Sequence, residues 1–139
     1  MASGRLPKDI RAELGAIQIA DVIMLISPLW WRGFPAILKG YIDRVFTAGA
    51  GYLSNDADSK ARLSGRKAVI ITTSEATIDE LKRSGTLRAL MTDHGDMMDY
   101  CGIELVGQLY LGGVSSSVRR NDGEKNLETV RRFVRRTFK

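Results

Sequence analysis

An α/β fold built on a parallel sheet is predicted by three observations. Segments with helical periodicity alternate with short apolar runs along the whole chain. The runs VIMLI and KAVIITT are nearly unbroken, too short for helices and rich in β-branched residues. The run ends fall on Ser-Pro, Thr-Ser and Gly-Gly sequences, which punctuate rather than propagate structure. Strands buried on both faces read in this way, and strand–helix alternation calls for right-handed crossovers with helices on both sides.

Lys8 to about Ile19 reads as a helix, because Ile10, Leu14 and Ile17 recur at three- and four-residue spacing. Asp21 then precedes the apolar run Val22 to Ile26, a strand expected to be buried on both faces. After a Trp-rich loop, Pro35 stands where a first helical turn tolerates proline. Ile37, Leu38, Tyr41, Ile42, Val45 and Phe46 supply the buried stripe of that helix. A polar, Gly-containing loop leads to a second strand, Lys67 to Thr73. Ile78 to Tyr100 is helical with a break near Gly85; Leu87, Leu90, Met91, His94 and Met98 mark its inner face, and Gly102 stops it. A third strand, Glu104 to Leu111, ends in Gly112-Gly113. Asp122 to Phe138 closes the chain as a helix with Leu127, Val130, Phe133 and Val134 inward.

The chain has 139 residues, enough for one core, and we expect a single domain over 1–139. No run approaches the roughly 20 apolar residues of a membrane span. The N-terminus lacks the apolar stretch of a signal peptide, so a cytoplasmic location is expected. One cysteine, Cys101, leaves no internal disulfide and no multi-cysteine metal site. The net charge of +5 comes mostly from the tail, where Arg119, Arg120, Arg131, Arg132, Arg135, Arg136 and Lys139 gather. Without aromatic interleaving or a nucleic-acid motif, this reads as a solvated helix face, and no nucleic-acid partner is expected.

Ligands of open parallel sheets bind at the carboxyl ends of the strands. Pro28, Leu29, Trp30, Trp31 and Arg32 follow the first strand; Thr72, Thr73, Ser74 and Glu75 end the second. Adjacent tryptophans in such a loop suit a flat ring ligand, whose carbonyls and nitrogens the loop N–H groups could meet. The residues alone equally allow tryptophans packed under the loop or at a subunit interface. The hydroxyls of the second segment suit a polar ligand edge, or else cap the next helix.

The segment SPLWWRGFPAILKGYIDRVFTAGAGY, Ser27 to Tyr52, resembles the signature of the NAD(P)H:quinone oxidoreductase family within the flavodoxin-like fold. KAVIITT and DYCGIE extend the likeness. The resemblance implies a three-layer flavodoxin-like sandwich and a flavin, FMN or FAD, with NAD(P)H as electron donor. It implies that Pro28 to Arg32 embrace the isoalloxazine, and that Thr72, Thr73, Ser74 and Glu75 reach its pyrimidine side. Trp31 and Tyr52 would line the substrate pocket, Tyr52 crossing from the partner of a homodimer. The implied reaction is ping-pong: hydride passes from the nicotinamide to flavin N5, then to a quinone or similar acceptor. An alternative within the same family is an ancillary subunit bound to a potassium-efflux membrane transporter; another is a remnant that binds no flavin.

Two departures stand out. Ser74 and Glu75 replace the glycines that follow Thr-Thr in well-known quinone reductases, and no Tyr/His pair follows them. The sole histidine, His94, lies in a helix, where a structural role is expected. Negative charge on the reduced flavin then falls to backbone donors or Arg32. Family members also begin with a strand, a phosphate-cradling loop, a helix and a second strand, which Met1 to Leu14 do not resemble. The chain is therefore expected to be an N-terminally truncated, C-terminal portion of the domain. Its first strand should lie at a sheet edge without protecting charge or proline.

Overall fold

The computed structural model describes residues 6–47, 63–116 and 120–139. Helix α1 (Lys8–Ile19) leads into β1 (Val22–Pro28), and α2 (Ala36–Tyr41) runs on as a π-helical turn, Ile42–Phe46. β2 (Lys67–Thr73), α3 (Ile78–Arg83), α4 (Thr86–Tyr100), β3 (Glu104–Leu111) and α5 (Arg120–Thr137) follow. The strands pair in parallel in the order β1-β2-β3. Helices lie on both faces, giving the three-layer arrangement expected from the sequence.

One face carries the larger core. Leu25, Ala68 and Ile70 meet Ile10, Leu14 and Ile17 of α1, Ile42, Val45 and Phe46 of the π-turn, and Met98 at the end of α4. The extra residue of the π-turn lets Ile42, Val45 and Phe46 all turn inward. Val69 and Ile71 point to the other face, where Phe133 of α5 packs, flanked by Val130 and Val134. Gly107 makes that approach possible: a Cβ there would lie 2.8 Å from Phe133 Cζ.

β2 is buried continuously from Ala68 to Thr72, as its apolar run requires. β1 is not, and the expectation of burial on both its faces is corrected. Leu25 and Ser27 are buried, while Met24 is 42% and Ile26 62% exposed. Met24 and Ile26 pair in register with Val69 and Ile71, on the face that α5 covers over β2 and β3. Among the described residues nothing covers that side of β1, which is an edge strand. Three helix positions expected inward also differ. Ile37 is exposed in the first turn of α2, ahead of the stripe that begins at Leu38, and Met91 and Leu127 lie at the margins of their helices' buried faces.

α3 and α4 separate where the sequence suggested. Thr77 and Glu80 form a capping box at the start of α3, and Gly85, at φ +72°, turns the chain into α4.

Candidate functional site at the carboxyl ends of the strands

The loop after β1 is a tight turn closed on itself. Trp30 and Gly33 exchange backbone hydrogen bonds of 3.0 and 2.9 Å. The two residues between them, Trp31 and Arg32, both adopt left-handed backbone, at φ +50° and +62°. Neither is glycine, so the pair stores on the order of 1–3 kcal/mol per residue, the kind of strain that gathers at ligand sites. The turn's own bonds leave the N–H groups of Trp31 and Arg32 unused. The Trp31 side chain is fully exposed, at 102%.

Side chains hold this turn in place. Arg32 Nε donates to Thr86 Oγ1 at 2.8 Å, its Nη2 also donates to Thr86 Oγ1, and Nη2 reaches the Ser84 carbonyl at 3.4 Å. Arg32 thus spans from the end of β1 to the α3–α4 junction. Its acceptors are neutral, so its charge is not cancelled by a carboxylate in these bonds.

The loop after β2 is held differently, by backbone. Leu29 N–H donates to the Thr73 carbonyl at 2.7 Å, Ser74 N–H to Leu111, and Val114 N–H back to Ser74, the last two at 2.8 Å. The Glu80 carboxylate accepts from Thr77 N–H at 2.8 Å, and these Thr77 bonds hold its pKa below the ordinary value. Gly112 lies so close to this segment that a Cβ would sit 2.5 Å from Ile78 N.

The two loops enclose a cleft of about 480 Å³. Of the expected site residues, Leu29, Trp31, Arg32, Ser74 and Glu75 line it. Pro28 and Trp30 lie beside it, exposed, and do not line it. Thr72 is buried within the sheet, in register with Ser27. The hydroxyls of Ser27 and Thr72 are both buried without a hydrogen-bond partner. Thr73 borders a separate, apolar cleft of about 490 Å³ beside Leu127 and Val130 of α5. Tyr52 lies outside the described residues.

Sequence reasoning missed Ala76, Glu80, Leu81, Ser84 and Thr86, which complete the lining. The Ser-Gly-Thr break at Ser84–Thr86 was the available signal: small hydroxyl residues at a helix interruption are free to meet a distant loop.

Among the described residues no group of His, Cys, Asp and Glu could hold a metal, and no helix is long and apolar enough to cross a membrane. What the cleft offers is a fully exposed indole, apolar contacts from Leu29 and Leu81, and turn N–H groups with no backbone partner among the described residues. Pockets of this size and mixed lining suit a flat, drug-sized ligand with one polar edge. These features fit a flavin ring.

The fold and this strand-end cleft define a flavodoxin-like α/β protein, and the model of the flavodoxin-like fold family matches residues 2–134. The chain belongs to that family, among the relatives of the NAD(P)H:quinone oxidoreductases. It is 39% identical over 107 residues to an uncharacterised NAD(P)H oxidoreductase of Haemophilus influenzae, covering 75% of this chain and 52% of that protein. It is 36% identical over 94 residues to NAD(P)H dehydrogenase [quinone] 1 of Rattus norvegicus, covering 68% of this chain and 32% of the other. The solved NAD(P)H:quinone oxidoreductase from Methanothermobacter marburgensis superimposes with a TM-score of 0.77 at 31% identity, over 95% of this chain and 64% of that one. The chain thus spans about a third to a half of the length of these two curated relatives.

Proposed function

We propose that this chain forms the flavin-ring side of an NAD(P)H:quinone-type oxidoreductase. The observation that carries the proposal is the strained Trp31–Arg32 turn facing the Ser74–Ala76 loop across one cleft, in a chain similar to oxidoreductases by name. A bound flavin, FMN or FAD, would accept a hydride from NAD(P)H and return two electrons to a quinone or similar acceptor.

The chain's own residues bind and orient. Trp31 offers a rigid apolar surface to a planar ring, and Leu29 and Leu81 exclude water from its edge. The N–H groups of Trp31 and Arg32 are fixed by the turn before any ligand arrives, so their dipoles need no reorganisation to favour negative charge. Arg32 adds a positive charge on the same wall. Glu75 and Glu80, the latter kept ionised by its cap, also line the cleft and favour neutral acceptors such as quinones over anionic ones.

We further propose a homodimer with Tyr52 lining the substrate pocket, a single flavodoxin-like domain and a cytoplasmic location. The homodimer and the role of Tyr52 rest on the family resemblance, the single domain on the length of the chain. No observation favours the transporter-subunit reading. The proposal is tested by adding FMN or FAD to the purified protein and following flavin absorbance. Bleaching by NADPH and recovery on adding a quinone is expected; folded protein that retains neither flavin contradicts it. An Arg32→Ala variant whose flavin potential is unchanged would remove Arg32 from the electrostatic role.

A further inference from the structure

His94, set aside by sequence reasoning, sits within a network that reaches the ligand loop. Its ring is buried and stacks on Phe34, with centroids 4.5 Å apart and planes within 8°. Phe34 directly follows Gly33, the last residue of the Trp30–Gly33 turn, and directly precedes Pro35 at the start of α2. At the edge of its ring, on the Nδ1 side, His94 meets Tyr110 of β3, the two rings lying parallel within 4° with centroids 6.2 Å apart.

Hydrogen bonds fix the orientation of that stack. The Met91 carbonyl can only accept, so the Gln108 amide presents Nε2 to it, at 3.1 Å. Gln108 Oε1 therefore faces Tyr110, whose hydroxyl donates to it at 2.8 Å. Burial, followed by the charge of Asp93, pushes the Tyr110 pKa up to about 12, so the hydroxyl keeps its proton. With that proton committed, the Tyr110 oxygen accepts at 2.9 Å from His94 Nδ1, which must carry hydrogen. The imidazole is thereby held as one tautomer, in one plane, against Phe34.

Helix α4 consequently grips the ligand loop at two points. Thr86, at its first residue, takes the Arg32 guanidinium; His94, two turns on, takes the Phe34 ring. One tie is made by Arg32 of the strained pair itself, the other by Phe34 two residues further on. We propose that His94 is a positioning residue: through its stack on Phe34 it holds the Trp31–Arg32 turn in the ring-binding conformation. This rests on the flavin reading above for its functional consequence, but not for its structural one.

The chain's two tryptophans are Trp30 and Trp31, so intrinsic tryptophan fluorescence reports this loop alone, with or without flavin. In folded His94→Ala protein the amplitude of fast, nanosecond anisotropy decay should rise. Flavin affinity should fall about tenfold, as expected when the competent loop conformation drops to about a tenth of the population. His94→Phe, which keeps a stacking ring, should restore most of both; His94→Gln, which keeps only a donor, should not. If His94→Ala does not fold, the Phe and Gln pair decides the matter. Loop anisotropy identical to wild type in folded His94→Ala, or identical in the Phe and Gln variants, overturns the proposal. A raised fast-decay amplitude in His94→Ala, in a protein whose wild type takes up no flavin, upholds the positioning role and instead overturns the flavin reading.

Discussion

The two loops that form the cleft reach the same place by opposite means. The segment after β2 is held by backbone bonds, a capping box and close contact with Gly112, all within regular neighbouring structure. The turn after β1 is closed by its own Trp30–Gly33 backbone bonds but strained at two residues, and it is tied to α4 by two side chains, Arg32 and Phe34. Backbone-held loops are as stable as the fold around them. Side-chain-held loops can change without loss of the fold, and at a binding site that puts affinity rather than stability under their control. Damage to the β2 loop should therefore be read in unfolding experiments, and damage to the β1 turn in ligand binding.

The largest expected effect is at Gly112. A Cβ there meets Ile78 N at 2.5 Å and Thr77 C at 2.8 Å, backbone atoms that cannot swing aside. Gly112→Ala should cost about 3 kcal/mol in denaturant unfolding, at the upper end of overpacking penalties. Gly33→Ala in the other loop meets only Trp30 O at 3.9 Å and should change stability by less than about 0.5 kcal/mol. Equal effects at the two glycines would erase the contrast.

Thr77→Ala removes the N-cap of α3 and should cost about 1 kcal/mol, measured in the same way. A comparable difference should separate two changes at Arg32. Both Arg32→Ala and Arg32→Gly lose the Thr86 tie, but only glycine relieves the left-handed backbone. The Gly variant should be the more stable by about 1 kcal/mol. No difference would mean the turn relaxes once Arg32 is released.

The smallest effect is a pH dependence. Burial pushes the His94 pKa below its ordinary 6.5, opposed by Gln108 and by the charge of Asp93. The unfolded chain then binds a proton more readily than the folded one. Stability from this group is complete above about pH 6.5 and declines as pH falls below that value toward the folded pKa. His94→Phe should flatten the unfolding midpoint against pH between neutrality and mild acid. An unchanged slope would assign the dependence to carboxylates such as Glu80.

Much of the fold was legible because local chemistry and global packing agree in it. α1 and β2 start and stop where periodicity and punctuation place them, since Ile10, Leu14 and Ile17 mark one face and KAVIITT is buried throughout. β1 misled, because VIMLI reads the same whether one face is covered or two, and α5 reaches only β2 and β3. β1 also runs on to Pro28, which sits at the last position of an edge strand, where a missing N–H is tolerated. The two segments flanking the cleft were visible from their place at strand ends. The ties were not: Arg32 to Thr86 spans 54 positions, and the Phe34–His94 stack also joins residues far apart in sequence. No short-range pattern encodes such partners. They exist only once the parallel sheet sets β1 and β3 on either side of β2.

The claim that this cleft receives a flavin ring is tested most directly by titrating FMN, and separately FAD, into the protein while exciting tryptophan. Because Trp30 and Trp31 are the only reporters, a ring bound against the turn should quench their emission saturably. Trp31→Ala should weaken binding about tenfold or more, on the scale of a lost aromatic contact in a ligand pocket. Folded protein whose tryptophan emission both flavins leave unquenched would contradict the account.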